Sequence, residues 1–166
     1  MTPTIRPAEP RDAALIHRFV SELAAFEREP DAVEATPDSF AETLFASPPA
    51  AEAVIAEVEG EAVGFALWFH NFSTWRGRRG LYLEDLYVTP AARGKGVGRA
   101  LLIHLAGIAV ARGCARFEWS VLDWNQPAID FYRTMGAVGM DEWTIQRVEG
   151  DALMRLAALS GPAPAG

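Results

Sequence analysis

The chain has 166 residues, half of them hydrophobic and 22% charged, with a net charge of −7 and a pI near 5.0. That length suits one domain burying about two thirds of its unfolded surface, and the composition excludes a chain that is disordered throughout. The acidic balance excludes the concentrated basic face that nucleic acid requires, and no apolar run approaches the ~18 residues of a membrane span, so neither partner is expected. Arg6, Glu9, Arg11 and Asp12 interrupt the first stretch; no signal-peptide core is expected, and a cytoplasmic location is. A single cysteine, Cys114, excludes an internal disulfide and reads as a small core filler.

In chain order, Ile5 begins a short strand. Pro10 and Asp12 suit the first turn of a helix whose Leu15, Ile16, Phe19, Leu23 and Phe26 form a buried stripe. Thr36 is a cap for a second, short helix, with Pro37 in its first position and Phe40 and Leu44 facing inward. Ala53–Val58 and Ala62–Phe69 are apolar strands around Glu59-Gly60-Glu61, a hairpin. Asn71–Gly80 reads as a loop and Leu81–Val88 as a strand stopped by Thr89-Pro90. Val97, Leu101, Leu105 and Ile108 then mark a helix that Gly113 ends. Arg116–Leu122 is a strand, Asn125 caps a helix through Ile129–Met135 closed by Gly136, and Glu142–Val148 is expected to end the sheet. A short helix from Asp151 and a disordered tail, Ser160–Gly166, complete the chain. The alternation implies a single α+β domain over residues 1–159, with a mixed sheet in which Leu81–Val88 and Arg116–Leu122 are a parallel pair joined by a helical crossover.

The junction Arg93-Gly94-Lys95-Gly96-Val97-Gly98 carries the strongest functional signal. Alternate glycines let backbone N–H groups approach a ligand, and the open helix start adds roughly half a positive charge, which suits phosphate. Gly94-Lys95 is followed by Gly96 rather than Ser or Thr, which excludes a Walker loop, and the residue three after Gly96 is Arg99, which excludes the dinucleotide fingerprint. Lys95 is the only lysine beside fourteen arginines, yet Arg93, Lys95 and Arg99 crowd one turn of an acidic protein.

This pattern after a strand resembles the acetyl-CoA pyrophosphate loop of the GNAT superfamily of N-acetyltransferases. Phe65-Ala66-Leu67-Trp68-Phe69, Tyr82-Leu83-Glu84-Asp85-Leu86-Tyr87-Val88, Leu122-Asp123-Trp124-Asn125 and Phe131-Tyr132 are similar to the diamine (spermidine/spermine) acetyltransferases. Ser73-Thr74-Trp75-Arg76-Gly77 and the Asp-Trp-Asn-Gln wording lean toward their thialysine-acetylating branch. The similarity runs from Ile5 to about Leu156; Phe45-Ala46-Ser47-Pro48-Pro49 departs from it, standing where the family has a glycine-rich turn. The resemblance implies a mostly antiparallel sheet whose parallel pair splays to take the pantetheine arm, acetyl-CoA as co-substrate and a homodimer.

Acetyl transfer to an amine needs a proton acceptor, an oxyanion donor and a proton for the departing thiolate. A primary ammonium has a pKa of about 10.4, so a carboxylate must help remove its proton. Glu84 and Asp85 are the candidates, because burial does not explain an acidic pair inside an apolar strand. Alternation sends them to opposite faces unless a bulge intervenes; Glu84 is favoured, and edge-strand charges that block aggregation are the bland alternative. By resemblance Tyr132 protonates the coenzyme sulfur, and its alternative is a core aromatic. Asn125 either hydrogen-bonds the pantetheine or caps its helix, and backbone N–H groups near Leu86 and Val88 polarise the thioester oxygen. Glu27, favoured over Glu29, and Trp75 are amine-site candidates, with solvated helix-end charges and a loop anchor as alternatives. Arg76, Arg78 and Arg79 are open between a carboxylate site for thialysine, coenzyme contacts and solvated charges. His17, His70 and His104 are too scattered for the usual zinc motifs, so no metal is expected. The expected function is acetyl-CoA-dependent acetylation of a small primary amine, a thialysine-like amino acid or a di- or polyamine, by direct attack in a ternary complex. The alternatives are acetylation of protein lysine and a non-catalytic coenzyme A sensor.

Overall fold

The computed structural model describes residues 2–159, so the expected disordered tail lies outside the described residues. The chain forms two compact units, the first ending at Trp124 and the second beginning at Asn125. The first holds a five-stranded sheet in sequence order, β1 (Thr4–Pro7), β2 (Glu52–Val58), β3 (Glu61–Ser73), β4 (Arg78–Val88) and β5 (Phe117–Trp119). β1 through β4 pair antiparallel and β4–β5 pair parallel, as the alternation implied. Three helices accompany it, α1 (Ala13–Phe26), α2 (Pro37–Leu44) and α3 (Val97–Ala111).

Period-2 alternation divides the sheet's two faces. Ala53, Ile55, Phe65, Leu67 and Tyr87 form one core with Ile16 and Phe19 of α1 and Leu44 of α2. Val54, Ala56, Ala66, Trp68, Leu81 and Leu83 alternate with them on the other face, where α3 buries Val97, Leu101, Leu102 and Leu105. Thr36 caps α2 reciprocally: its hydroxyl accepts the Ser39 N–H at 3.2 Å, and the Ser39 hydroxyl oxygen accepts the Thr36 N–H at 2.8 Å. Gly113, at φ +69°, turns the chain out of α3.

Three expectations are corrected. Asn71–Gly80 is not a loop: β3 and β4 pair through it to Ser73–Arg78, leaving only Thr74–Gly77 as the turn, so Asn, Ser and Gly sit in strand because the partner supplies the ladder. Arg116–Leu122 shrinks to the three residues of β5, because only Leu81–Leu83 of β4 pair with it. Glu142–Val148 is no strand; Trp143, Ile145 and Val148 are exposed and find no ladder partner among the described residues. The second unit contains α4 (Gln126–Thr134), closed by Gly136 at φ +93°, and α5 (Gly150–Ala158).

The entry to α1 rests on one ion pair. Arg6 of β1 reaches both carboxylate oxygens of Asp12, at 2.8 and 3.0 Å, while its Nε holds Glu57 of β2 at 2.8 Å. Asp12 also accepts the Glu9 N–H at 2.7 Å and is only 5% exposed. The Arg6 hydrogen bond holds its carboxyl below the ordinary value near 3.8 despite burial. Asp12→Ala leaves Arg6 and the Glu9 N–H short of a partner and is expected to cost about 2 kcal/mol in denaturant unfolding at pH 7. Because the folded pKa is depressed, this contribution is present above pH ~4 and lost as pH falls through the folded value, so the gap between wild type and variant should close below pH ~4.

Candidate active site

The geometry of the site begins where β4 loses regular pairing on both sides. Leu67 pairs with Asp85 and Trp68 with Leu83, so Glu84 is an extra residue, a bulge. On the opposite edge β5 accompanies β4 only as far as Leu83, which leaves Glu84–Val88 with no strand neighbour there among the described residues. The bulge resolves the question of faces. Asp85 shares the α1 face with Tyr87, opposite Leu67 and Phe65, while Leu86 and Val88 lie on the α3 face with their side chains 3.8 Å from the Cβ position of Gly98.

Asp85 is half-buried and its pKa is pushed up to about 6, first by burial, then by the like charges of Glu84 and Glu27. Glu27 follows the last residue of α1, and burial raises its pKa too; Glu29 is exposed. Glu84 is exposed. Asp85 thus feels two neighbouring carboxylates, and an arriving cation would relieve that repulsion. Aromatic rings border them. Phe26, expected in the buried stripe, is 44% exposed, with its ring centroid 6.2 Å from that of Trp124. Arg28 lies 4.0 Å over the Trp124 ring, and Arg93 lies 4.9 Å from the Phe26 centroid and 5.6 Å from that of Tyr87. Tyr87 donates its hydroxyl to Glu22 at 2.7 Å. Trp124 escaped the candidate residues although it lies within a quoted motif; its only signal was adjacency to Asn125.

The glycine turn has the expected form. Gly94 and Gly96 adopt φ +75° and +83°, and nothing lies within 4 Å of a Cβ at either, so they are glycines for backbone conformation rather than for space. Gly96 precedes α3 without a side-chain cap, and the first intrahelical bond is the Ala100 N–H to the Gly96 carbonyl at 3.0 Å. The N–H groups of Val97, Gly98 and Arg99 therefore face outward as anion donors. Lys95 and Arg99 line one concavity beside this turn with Ile5 and His104. Arg93 departs from them: its Nε donates to the Val88 carbonyl at 3.0 Å, and its guanidinium stacks on the rings of the acidic site. Only its backbone remains with the turn.

In the second unit, Asn125 caps α4 by accepting the Ala128 N–H at 3.4 Å. Tyr132 lies on α4, half-buried, with its ring 5.6 Å from that of Phe131, so neither aromatic is singled out as core. Trp75, an amine-site candidate, is 91% exposed in the turn closing the β3–β4 hairpin. The seven residue steps from Arg78 to Asp85 span about 23 Å of strand, so neither Trp75 nor Arg78 and Arg79 reach the carboxylates of their own chain. An amino acid of thialysine's length cannot bridge that span. Among the described residues no three His, Cys, Asp or Glu side chains are placed to hold a metal ion, and no helix is long and apolar enough to cross a membrane.

Comparison with known proteins agrees with this geometry. The Acetyltransferase (GNAT) family profile matches residues 16–137. The chain is 37% identical over 164 residues to the thialysine N-epsilon-acetyltransferase of Sus scrofa, covering 92% of this chain and 96% of the relative. It is 31% identical over 201 residues to the L-ornithine N5-acetyltransferase of Arabidopsis thaliana, covering 94% and 88%. Among solved structures, an integron cassette protein from the mobile metagenome of V. cholerae superposes with a TM-score of 0.79 at 27% identity, covering 95% of this chain and 98% of that one. With a family profile matched over most of its length and a relative 37% identical across nearly all of it, the chain belongs to the GNAT family of acetyltransferases.

Proposed function

We propose that the chain transfers the acetyl group of acetyl-CoA to a primary amine of a small molecule, a thialysine-like amino acid or a short diamine, by direct attack in a ternary complex. The observation that carries this reading is the convergence of Glu27, Glu84 and Asp85 beside a β4 edge that has no strand partner from Glu84 to Val88. Acetyl-CoA supplies an activated acyl thioester. Its phosphates would take the open N–H groups at Val97–Gly98 and the charges of Lys95 and Arg99. The N–H groups of Leu86 and Val88 on the free edge would hold the thioester oxygen, and Asn125 would steady the arm.

The amine's proton is the main electrostatic problem. Asp85, with a pKa of about 6, is mostly ionised near pH 7 yet closer to the ammonium's own value than an ordinary carboxylate, so it binds the cation and accepts its proton. Glu84, exposed on the bulge, passes that proton to solvent. Sequence reasoning favoured Glu84 as the acceptor; the burial of Asp85 against Glu27 supports the reversed order. Tyr132 donates to the departing thiolate, since a phenol near 10 and a thiol near 8.5 differ by only about 1.5 units. The same reading takes residues 1–159 as one catalytic domain and the enzyme as a cytoplasmic homodimer, as the family resemblance implies.

Initial rates with acetyl-CoA and a panel of thialysine, lysine, ornithine and spermidine test the reading. The expected order places the amino acids above spermidine, in line with the names of the relatives. No turnover of any of them at pH 8 would sink it.

The acidic limb of kcat/KM should lie near pH 6. Glu84→Gln removes a like charge from Asp85 and is expected to move that limb down, whereas Asp85→Asn should abolish it and push the plateau up toward the pKa of the free amine. An upward move with Glu84→Gln would make Glu84 the acceptor.

Tyr132→Phe should lower kcat on the order of a hundredfold with coenzyme affinity kept, because it deletes one hydroxyl and little packing. Wild-type turnover in this variant would return Tyr132 to a structural role.

A further inference from the structure

The β3–β4 hairpin outruns α3, and the overhang makes a cavity. Trp68, His70 and Phe72 alternate on the α3 face of β3, with Arg79 beside Phe72 in register. Trp68 lies buried, and His70 meets the helix end, where its Nε2 accepts from Arg112 Nη1 at 2.9 Å. Phe72, past the helix, is 60% exposed. The resulting space has a volume of about 780 Å³, with Arg78, Arg79 and Arg112 among its lining residues, and lies entirely within the first unit.

Its walls are fixed. Arg112 donates to both carboxylate oxygens of Glu52, at 2.6 and 2.9 Å. Since His70 Nε2 accepts, its Nδ1 carries the proton and donates to the Gly80 carbonyl at 3.0 Å, which sets a neutral tautomer. A Cβ at Gly80 would fall 2.3 Å from Asn71 Oδ1, so the strands close here without slack. That oxygen is itself buried without a hydrogen-bond partner.

The charges do not cancel. Glu52 answers Arg112 and Glu118 answers Arg116 at 2.7 Å, but no carboxylate among the described residues pairs with Arg78 or Arg79. The unpaired Arg79, in register with the exposed Phe72 ring, and Arg78, which lines the same space next to the turn, suit a ligand with an anionic group and a flat ring, because guanidinium grips carboxylate or phosphate in bidentate fashion and the ring offers a stacking face. The 15 residues of α3 separate this pocket from the glycine turn by about 22 Å, so one coenzyme molecule laid along β4 does not account for it.

We propose that the pocket between the β3–β4 overhang and the C-terminal end of α3 is a second binding site, for a small ring-bearing carboxylate or phosphate held by Arg78, Arg79 and Phe72. The test follows the His70 ring signals by NMR in the full chain, saturated with coenzyme A so that the glycine turn is occupied. Adenosine monophosphate, benzoate and inorganic phosphate are added separately. The first two are expected to shift His70 and leave His104, beside the turn, unmoved; whichever of them binds more tightly identifies phosphate or carboxylate as the head group. Inorganic phosphate should bind about tenfold more weakly than adenosine monophosphate. The Arg78→Ala, Arg79→Ala double variant should weaken the ring-bearing probes about tenfold or more, and Phe72→Ala should erase the preference for a ring. Both changes are exposed and leave the His70–Arg112 pair intact, so unaltered His70 signals in the ligand-free variants verify the fold. A His70 resonance unmoved by all three probes, a shift undiminished in the double variant, or equal affinity for inorganic phosphate and adenosine monophosphate would each overturn the proposal.

Discussion

The chemistry of this fold depends on one strand ceasing to be paired. Up to Leu83, β4 is an interior strand with neighbours on both sides; from Glu84 it has β3 on one side and none on the other. Unpaired backbone donors inside a domain are costly unless something takes them, and here they open beside the helix start that follows two left-handed glycines. Sheet and helix therefore leave unsatisfied donors toward the same region of the molecule. The bulge has a second effect, since the extra residue at Glu84 is what lets Leu83 face α3 and Asp85 face α1.

Electrostatics on the α1 face are balanced rather than uniform. Burial, and then the charges of Glu84 and Glu27, raise the proton affinity of Asp85, yet Arg28 and Arg93 stand on the aromatic rings at the border of the same site. Stacked guanidinium groups keep their charge away from direct carboxylate contact, so they limit the repulsion without neutralising it. A site fully paired with arginine would have no attraction left for an ammonium.

Much of this was legible in the sequence where a local rule sufficed. The backbone form of the glycine turn, the Thr36 cap and the Asn125 cap each depend on a few consecutive residues, and each has the local geometry expected. Phe26-Glu27 at the end of α1 was legible as well. What escaped were properties of pairs distant in sequence. A bulge is a mismatch between two strands, and no feature of Glu84 alone announces it. The hairpin from Asn71 to Gly80 has the composition of a loop, and only the register with its partner makes it strand. The reverse error occurred at Glu142–Val148, where β-rich composition met no partner within the described residues.

The misread hairpin also changes what its arginines are for. In a loop, Arg76, Arg78 and Arg79 could fold back toward the amine and contribute to its recognition. Once Arg78 and Arg79 are the first residues of a paired strand, their distance from Asp85 is set by the strand rise, and no side-chain rotation recovers it. Within one chain, recognition of a substrate carboxylate under the proposed reading then falls to groups nearer the acidic site. Arg28 and Arg93 border it, stacked on Trp124 and Phe26, and neither pairs with a carboxylate of the described residues. Discrimination between a dication and an amino acid is in this view a property of how far those two guanidinium groups stand from the three carboxylates, a spacing set by the end of α1 and the start of the glycine turn.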